Sequence, residues 1–430
     1  MALNTIDKSD VGKRASPGTL LIVTQVYVPD PASLGQHMHD AASEMARRGW
    51  RVIVYTARHS YEDASVCYNR REKRDGVEIR RLPLSSFGKG SLVTRLVGGM
   101  SLLAQTTTRA LGIRGLSGVL VSTSPPMAPL TALVLRALRR VPFVFWVMDI
   151  NPDQMIALGR VSQQSMSVRL FEVLVRRALD RARHVITLDR YMEQRLHAKA
   201  PLEGRISVTP PWPLEDHLEP VPHDANPFRR AHDLEDKFVL MYSGNLSPSH
   251  PLTTILEAAR RLRGEPNVVF MFIGGGLARP VIEAFIEREG LDTVRLLPYQ
   301  PLEQLRLSLS AADVHLIAMG EAMVGIVHPC KLYGAMAVAR PVLLLGPRQS
   351  HAGQIIQEHG IGWQVDHGDV DGAEAAIGEA WKLSRNNPVK LAAMGAKARQ
   401  AIATHFSKTA LCAAVCDAIE AHAANRRTGE

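Results

Sequence analysis

The chain has 430 residues, more than one hydrophobic core usually encloses, so two domains of about 200 residues are expected. Its 46% hydrophobic and 22% charged residues describe a globular protein and exclude a disordered or fibrous one. The net charge of +9 is uneven, with +13 on residues 1–213 and −4 on residues 214–430, so the first half is expected to meet something anionic.

No apolar run reaches the roughly 18 residues of a membrane span; VPFVFWVM, from Val141, is among the longest and is strand-sized. Residues 1–17 hold Asp7, Lys8, Asp10, Lys13 and Arg14 with no apolar centre, so they are expected to form a flexible tail and not a signal or anchor. A cytoplasmic protein is therefore expected. Cys67, Cys330, Cys412 and Cys416 are too few and scattered for a disulfide framework. No His or Cys pair beside Cys412 and Cys416 completes a metal set, so these two read as buried thiols and no metal site is expected. The arginines are spread along helices without interleaved aromatics, which argues against nucleic acid.

In chain order, LLIVT after Gly18 reads as a buried strand, followed by a loop with Pro29, Pro31 and Gly35, a helix HMHDAASEMARRGW and a strand RVIVYTA. That is a parallel β-loop-α-β unit, whose ligands sit beyond the carboxyl ends of the strands. Gly35 either admits a ligand to the backbone or serves the turn. Residues 58–83 are a polar excursion with a hairpin at Asp75-Gly76. The stretch from Ser91 sets Leu92, Leu96, Met100 and Leu103 on one helical stripe, with Arg95, Arg109 and Arg114 nearby. Such a basic amphipathic helix lies on a membrane surface or packs on the sheet. Two strands follow, GVLVS running into TSPP and VPFVFWVM running into Asp149; that carboxylate either takes part in chemistry or caps the next helix.

Arginine-rich helical text from Arg169 to Arg183 leads to HVITLDRYMEQRL. Pro210, Pro211, Pro213, Pro220 and Pro222 then mark a linker, so the second domain is expected to begin near residue 214. The alternation restarts with FVLMYS, TILEAARRL, VVFMFI, VIEAFIEREG, VRLLPY and ADVHLIAM. Gly244 and Gly274 to Gly276 at strand ends let backbone approach a nucleotide. In GIVHPCKLYGAMAVARPVLLLGP, a loop closed by Pro329 feeds a helix from about Lys331 and then a strand Val342 to Leu345. Lys331 either joins that helix end in binding an anion or is merely solvated.

The run PCKLYGAMAVARPVLLLGP resembles bacterial family 4 glycosyltransferases of the O-antigen and colanic-acid branch, fucosamine transferase-like, which is written PSKLYG, an Ala-rich turn and GRPV. Cys330 stands for the usual Ser and Ala339 for the usual Gly. The likeness runs from about Gly18 to Phe406 and implies the GT-B architecture: two doubly wound, Rossmann-like α/β domains facing a central cleft. It implies an acceptor domain over residues 18–213, a nucleotide-sugar domain over 214–406, and a helix in 407–430 crossing back to the first.

By resemblance, Gly244, Asn245, Gly274, Gly275, Gly276, Tyr299, Val327, Pro329, Tyr333 and Gly334 hold the donor, and Gly35, Gln36, Ser124 and Pro125 face the acceptor. Asp149, His250 and Lys331 carry the chemistry. Asp149 orients an acceptor hydroxyl, and His250, its proton retained by the adjacent diphosphate, joins Lys331 in stabilising that leaving group. The family's usual Arg and Lys after the first strand of domain two are here Asn245 and His250, and its paired glutamates fall at Ile326 and Gly334. The implied activity is transfer from a nucleotide sugar, UDP-linked by branch, to a polyprenyl-diphosphate-linked acceptor at an anionic membrane face during surface polysaccharide assembly. It retains configuration and needs no metal or cofactor. A soluble acceptor, or a non-catalytic scaffold on the same fold, are the alternatives.

Overall fold

The computed structural model describes residues 17–30, 32–60, 65–85, 92–214 and 219–423. The tail expected over residues 1–17 lies almost wholly outside them. Strands are β1 (Thr19–Val23), β2 (Arg51–Ala57), β3 (Arg71–Arg74), β4 (Val77–Leu82), β5 (Leu116–Ser122), β6 (Phe143–Trp146), β7 (His184–Thr187) and β8 (Ile206–Val208). The second half adds β9 (Phe238–Ser243), β10 (Val268–Ile273), β11 (Val294–Leu297), β12 (Val314–Ala318), β13 (Val342–Leu345) and β14 (Gly362–Val365).

The first sheet runs β3-β4-β2-β1-β5-β6-β7-β8 and the second β11-β10-β9-β12-β13-β14. In the second, order outward from β9 reverses once, between β9 and β12, which is the doubly wound pattern whose ligand crevice lies at the reversal. The first repeats it around β1 and β5, with β3 added antiparallel to β4 at the edge. The hairpin at Asp75-Gly76 forms as expected, with φ of 48° and 82° at the two turn residues. By packing, the chain divides into a unit of Met1–Phe145, Arg181–His184 and Cys416–Glu430 and a unit of Trp146–Asp180 and Val185–Val415.

Parallel strands bury both faces, so their text is continuously apolar and successive side chains enter different cores. Phe238, Leu240 and Tyr242 of β9 join Phe270 and Phe272 of β10 in one cluster. Val239, Met241, Val269 and Met271 point to another. Burial of each such side chain contributes about 1.5–3 kcal/mol, more than any local propensity, so packing fixes these strands. Arg229 spans the second cluster's edge, donating to Ala311 O at 2.6 Å and Asp313 Oδ2 at 3.2 Å; this buried cation is structural.

Helix Leu92–Leu111 settles only part of its expected stripe. Leu103 is buried, Met100 is 40% exposed, and the side chains at 92 and 96 lie outside the description. Leu102, Thr106 and Ala110 are the inward positions instead, because the helix packs on Pro129–Arg139 and on β2 and β4.

Helix Lys331–Ala337 ends in a Schellman motif: Ala339 N–H donates to Met336 O at 3.1 Å and Arg340 N–H to Ala335 O at 3.2 Å. Ala339 therefore sits at φ +54°, where an L side chain costs about 1–2 kcal/mol. Ala339→Gly is expected to stabilise this unit by about 1 kcal/mol once the added freedom of the unfolded glycine is subtracted. A urea midpoint unchanged or lower in Ala339→Gly would contradict this.

Candidate active site

The reversal between β9 and β12 gathers the loops after β9, β10 and β12 at one strand end. Gly244 N–H donates to Ile273 O at 2.8 Å, and Leu246 N–H to Gly275 O at 2.8 Å, so the first two loops are laced together. Gly320 N–H donates to Ser249 O at 3.0 Å, which ties in the third. Tyr299, 46% exposed, donates its hydroxyl to Gly275 O at 3.3 Å. Gly244, Asn245, Gly274, Gly275, Gly276 and Tyr299 are thus brought together.

Lys331 joins this group through its stem. Gly244 holds φ +133°, and a Cβ there would collide with Lys331 Cε, so glycine lets the lysine lie flat against the loop. The ammonium is 5.1 Å from the centre of the Tyr242 ring, and no carboxylate pairs with it among the described residues. Burial pushes its pKa down to about 8. His250 stands beside it, 9% exposed, with its Nδ1 unpartnered. Burial, with Lys331 adding to it, pushes His250 down to about 3, so the imidazole is neutral at neutral pH. Desolvation of the nearly enclosed ring sets this, whereas the expected retention of the His250 proton depends on the charge of an adjacent diphosphate.

Asp149 follows β6, where its backbone bridges Val327 and Ile150 N–H donates to Ile326 O at 2.9 Å. Burial raises its carboxyl to about 6. Gly325, at φ +70°, lies so close to the helix Arg190–His197 that a Cβ would come within 2.6 Å of Tyr191 O, and Arg195 Nε donates to Val324 O at 2.7 Å. The loops carrying Asp149 and Val327 are therefore tied to each other and fixed from several sides. Pro329 is buried, and its carbonyl accepts from Leu332 N–H at 3.1 Å.

Tyr333 and Gly334 do not open onto this site. Tyr333 is 1% exposed and its hydroxyl is engaged by His328 Nε2 at 2.9 Å and His351 Nε2 at 3.1 Å. Its direct donor contact is corrected accordingly, because the helix turns that face into the core with Leu332 and Met336. His328 Nδ1 is in turn 2.8 Å from Asp189 Oδ2, while Asp189 Oδ1 accepts from Tyr191 and Met192 N–H at 2.9 Å each. His328 and the backbone donors hold the Asp189 carboxyl below the usual range although burial opposes them. Burial lowers His351 to about 3.

This Asp189–His328–Tyr333–His351 chain escaped the sequence reading, and it fixes the residue between Val327 and Pro329. Asp189 at the strand end in HVITLD was the available signal, since it caps Arg190–His197. The family's paired glutamates have no counterpart in place here: Ile326 is 2% exposed and Gly334 is buried.

Gly35, Gln36, Ser124 and Pro125 belong to the other unit, at its own reversal between β1 and β5. Gln25 N–H donates to Ser124 O at 2.8 Å, and Ala57 N–H to Gln25 O at 3.1 Å, closing the three strand ends together. A Cβ on Gly35 would meet Tyr27 Cα at 3.0 Å, so Gly35 and Gln36 start their helix pressed onto that loop. Among the described residues, no group of three or more His, Cys, Asp or Glu is placed to hold a metal ion.

Residues 34–212 match the family described as Glycosyl transferase 4-like domain, and residues 224–401 match Glycosyl transferases group 1. The chain belongs to the glycosyltransferases that carry these two domains in series. WbjE of Pseudomonas aeruginosa, described as a glycosyltransferase, is 26% identical over 290 residues, 67% of this chain and 71% of that protein. WcaI of Escherichia coli K12, described as a colanic acid biosynthesis glycosyl transferase, is 26% identical over 381 residues, 84% of this chain and 92% of that one. Among solved structures, HepE of Anabaena in complex with UDP-glucose superposes with a TM-score of 0.69 at 16% identity, covering 94% of this chain and all of its own (100%). WaaG, a glycosyltransferase involved in lipopolysaccharide biosynthesis, gives 0.68 at 17% identity over 93% of this chain and 99% of its own. The fold is GT-B, with two Rossmann-like α/β domains.

Proposed function

We propose that this enzyme transfers a sugar from a UDP-linked donor to a lipid-diphosphate-linked glycan in surface polysaccharide assembly, at the cytoplasmic face of the membrane. One observation carries the donor half of this reading: an ammonium, Lys331, is kept half-buried with no carboxylate paired to it among the described residues, next to an unpartnered imidazole nitrogen on His250, at the strand-order reversal. Burying an unpaired cation costs stability, and an incoming diphosphate offsets that cost. The strand-end glycines supply backbone for the same diphosphate. UDP is favoured because HepE, of the same fold, is solved with UDP-glucose. A polysaccharide product is favoured by the descriptions of WcaI and WaaG.

In this reading the bond from the sugar's anomeric carbon to the diphosphate breaks, and its electron pair stays on the leaving oxygen, where Lys331 meets the new charge; His250, whose other ring nitrogen is bonded to the Ala318 carbonyl, joins it once the diphosphate has drawn a proton onto the unpartnered nitrogen. The acceptor hydroxyl attacks from the same face, so configuration is retained, and its proton passes to the departing diphosphate. Asp149 orients that hydroxyl. The cationic and backbone donors serve in place of a metal, and no cofactor is needed.

The test is thermal unfolding with UDP, GDP, dTDP, CMP and ADP in turn. A nucleotide at 100 times its Kd adds about 2.7 kcal/mol of stability, so the midpoint should rise with UDP and not with the others. A rise with another base instead would overturn the UDP assignment. No rise with any nucleotide would overturn the donor reading in favour of a non-catalytic scaffold, for which Ile326 and Gly334 in place of glutamates would then account.

A further inference from the structure

The chemistry proposed above leaves a run of buried polar side chains unused. Asp189, His328 and Tyr333 are 3%, 6% and 1% exposed, and they form one unbroken series: Asp189 Oδ2 to His328 Nδ1 at 2.8 Å, His328 Nε2 to the Tyr333 hydroxyl at 2.9 Å, and that hydroxyl to His351 Nε2 at 3.1 Å. The ionised Asp189 carboxylate only accepts, so His328 Nδ1 is the protonated nitrogen that donates to Oδ2, while Oδ1 takes the Tyr191 and Met192 N–H groups. The Tyr333 hydroxyl then accepts from one imidazole and donates to the other. His328 cannot shift without breaking a bond on each side. Apolar side chains of the same volume would hold a core at least as well, so what this series adds is fixed position.

It ties together the starts of three helices. Asp189 caps Arg190–His197, Tyr333 stands in the first turn of Lys331–Ala337, and His351 is the first residue of His351–His359. Lys331–Ala337 spans only seven residues and has no side-chain cap of its own, so its start is not fixed from within. Lys331 and Tyr333, two positions apart, point about 200° apart around it. The lysine side lies on Gly244 and Tyr242, and the opposite side is held through Tyr333 by the two histidines and by Phe406, whose ring centre is 5.2 Å away. Asp189 is the fixed end of the series, because its own helix also braces Val324 and Gly325.

We propose that Asp189 and His328 are positioning residues of the donor site, acting through Tyr333 to aim Lys331 at the diphosphate. This rests on the reading above, in which Lys331 meets the donor diphosphate. A second path runs along the backbone, where the His328 carbonyl accepts at 3.0 Å from the N–H of Cys330, the residue before Lys331.

The experiment is a double-mutant cycle on UDP affinity, read by calorimetry at neutral pH, with unfolding midpoints showing which variants are folded. Asp189→Asn with His328→Leu removes both partners together, so no unpaired charge is left in the core, and the amide oxygen still caps Arg190–His197. This pair of substitutions should raise Kd for UDP about tenfold, but by less than about twofold in a Lys331→Ala background, where the contact it acts through is already gone. His328→Asn, whose amide nitrogen falls where Nδ1 does and keeps the bond to Asp189, should recover most of the affinity. Tyr333→Phe keeps the ring and cuts the series at its oxygen; it should weaken UDP binding in the same Lys331-dependent way, and it carries the test if the paired substitution does not fold. A purely structural role would lower the midpoint and leave Kd alone. Unchanged Kd in the folded variants, or a rise of equal size with and without Lys331, would overturn the proposal and leave the donor reading standing. Wild-type protein that binds no UDP would remove the donor reading and this inference with it.

Discussion

Asp149→Asn is expected to lower kcat by about tenfold to a hundredfold, the size of a lost hydrogen bond from the acceptor hydroxyl to a charged group, while leaving UDP affinity within about twofold, the pattern of a group that acts on the acceptor and not on the nucleotide. Asn keeps the shape of the side chain and the backbone bridge to Val327, so the loop it helps to fix should survive. Because burial raises this carboxyl to about 6, kcat of the wild type should fall as pH drops through about 6 and Asp149 is protonated. That limb should vanish in Asp149→Asn. Stability runs the opposite way. A carboxyl whose folded pKa lies above its unfolded value stabilises the fold below the unfolded pKa, and that contribution is lost as pH rises through about 6. At neutral pH the ionised Asp149 contributes none of it, so Asp149→Asn should be no less stable than wild type. Unchanged turnover, or a loss matched by a lower unfolding midpoint, would remove the catalytic role.

Lys331→Ala should weaken UDP binding by about 1.5–3 kcal/mol, the range of a hydrogen bond to a charged group, which is about a tenfold to hundredfold rise in Kd by calorimetry. The direction for the empty protein is again opposite. With its pKa pushed down to about 8, the ammonium is disfavoured by the fold at neutral pH, so its removal should not destabilise the free chain beyond the lost contact of its stem with Gly244 and Tyr242. UDP affinity of the wild type should fall as pH rises through about 8 and the cation is lost, and Lys331→Ala should flatten that dependence. Normal affinity in the variant would contradict the donor site.

Much of the molecule is legible locally. The strands Val342–Leu345 and Phe238–Ser243, the helix start at Lys331, and the Asp75-Gly76 turn follow from apolar run length, helical spacing and turn chemistry, each a relation among residues a few positions apart. On Leu92–Leu111, Leu103 is buried as expected but Met100 is 40% exposed, because spacing alone fixes which residues share a face and not which face a neighbouring helix covers. The enclosure of the His250 ring, 9% exposed, was likewise not readable from the sequence around it.

By itself the sequence determined the class of fold, the alternation of strand and helix, and the candidates Asp149, Lys331 and the strand-end glycines, because periodicity and turn residues act through short-range geometry. Only the tertiary structure decided what those candidates are. It set Lys331 against Gly244 with no counter-charge among the described residues, raised Asp149 and lowered His250 through burial, and joined Asp189 to His328 across 139 positions of chain. Desolvation and pairing depend on which strands the crossovers bring together, and that is a property of the whole packed sheet and not of any segment within it.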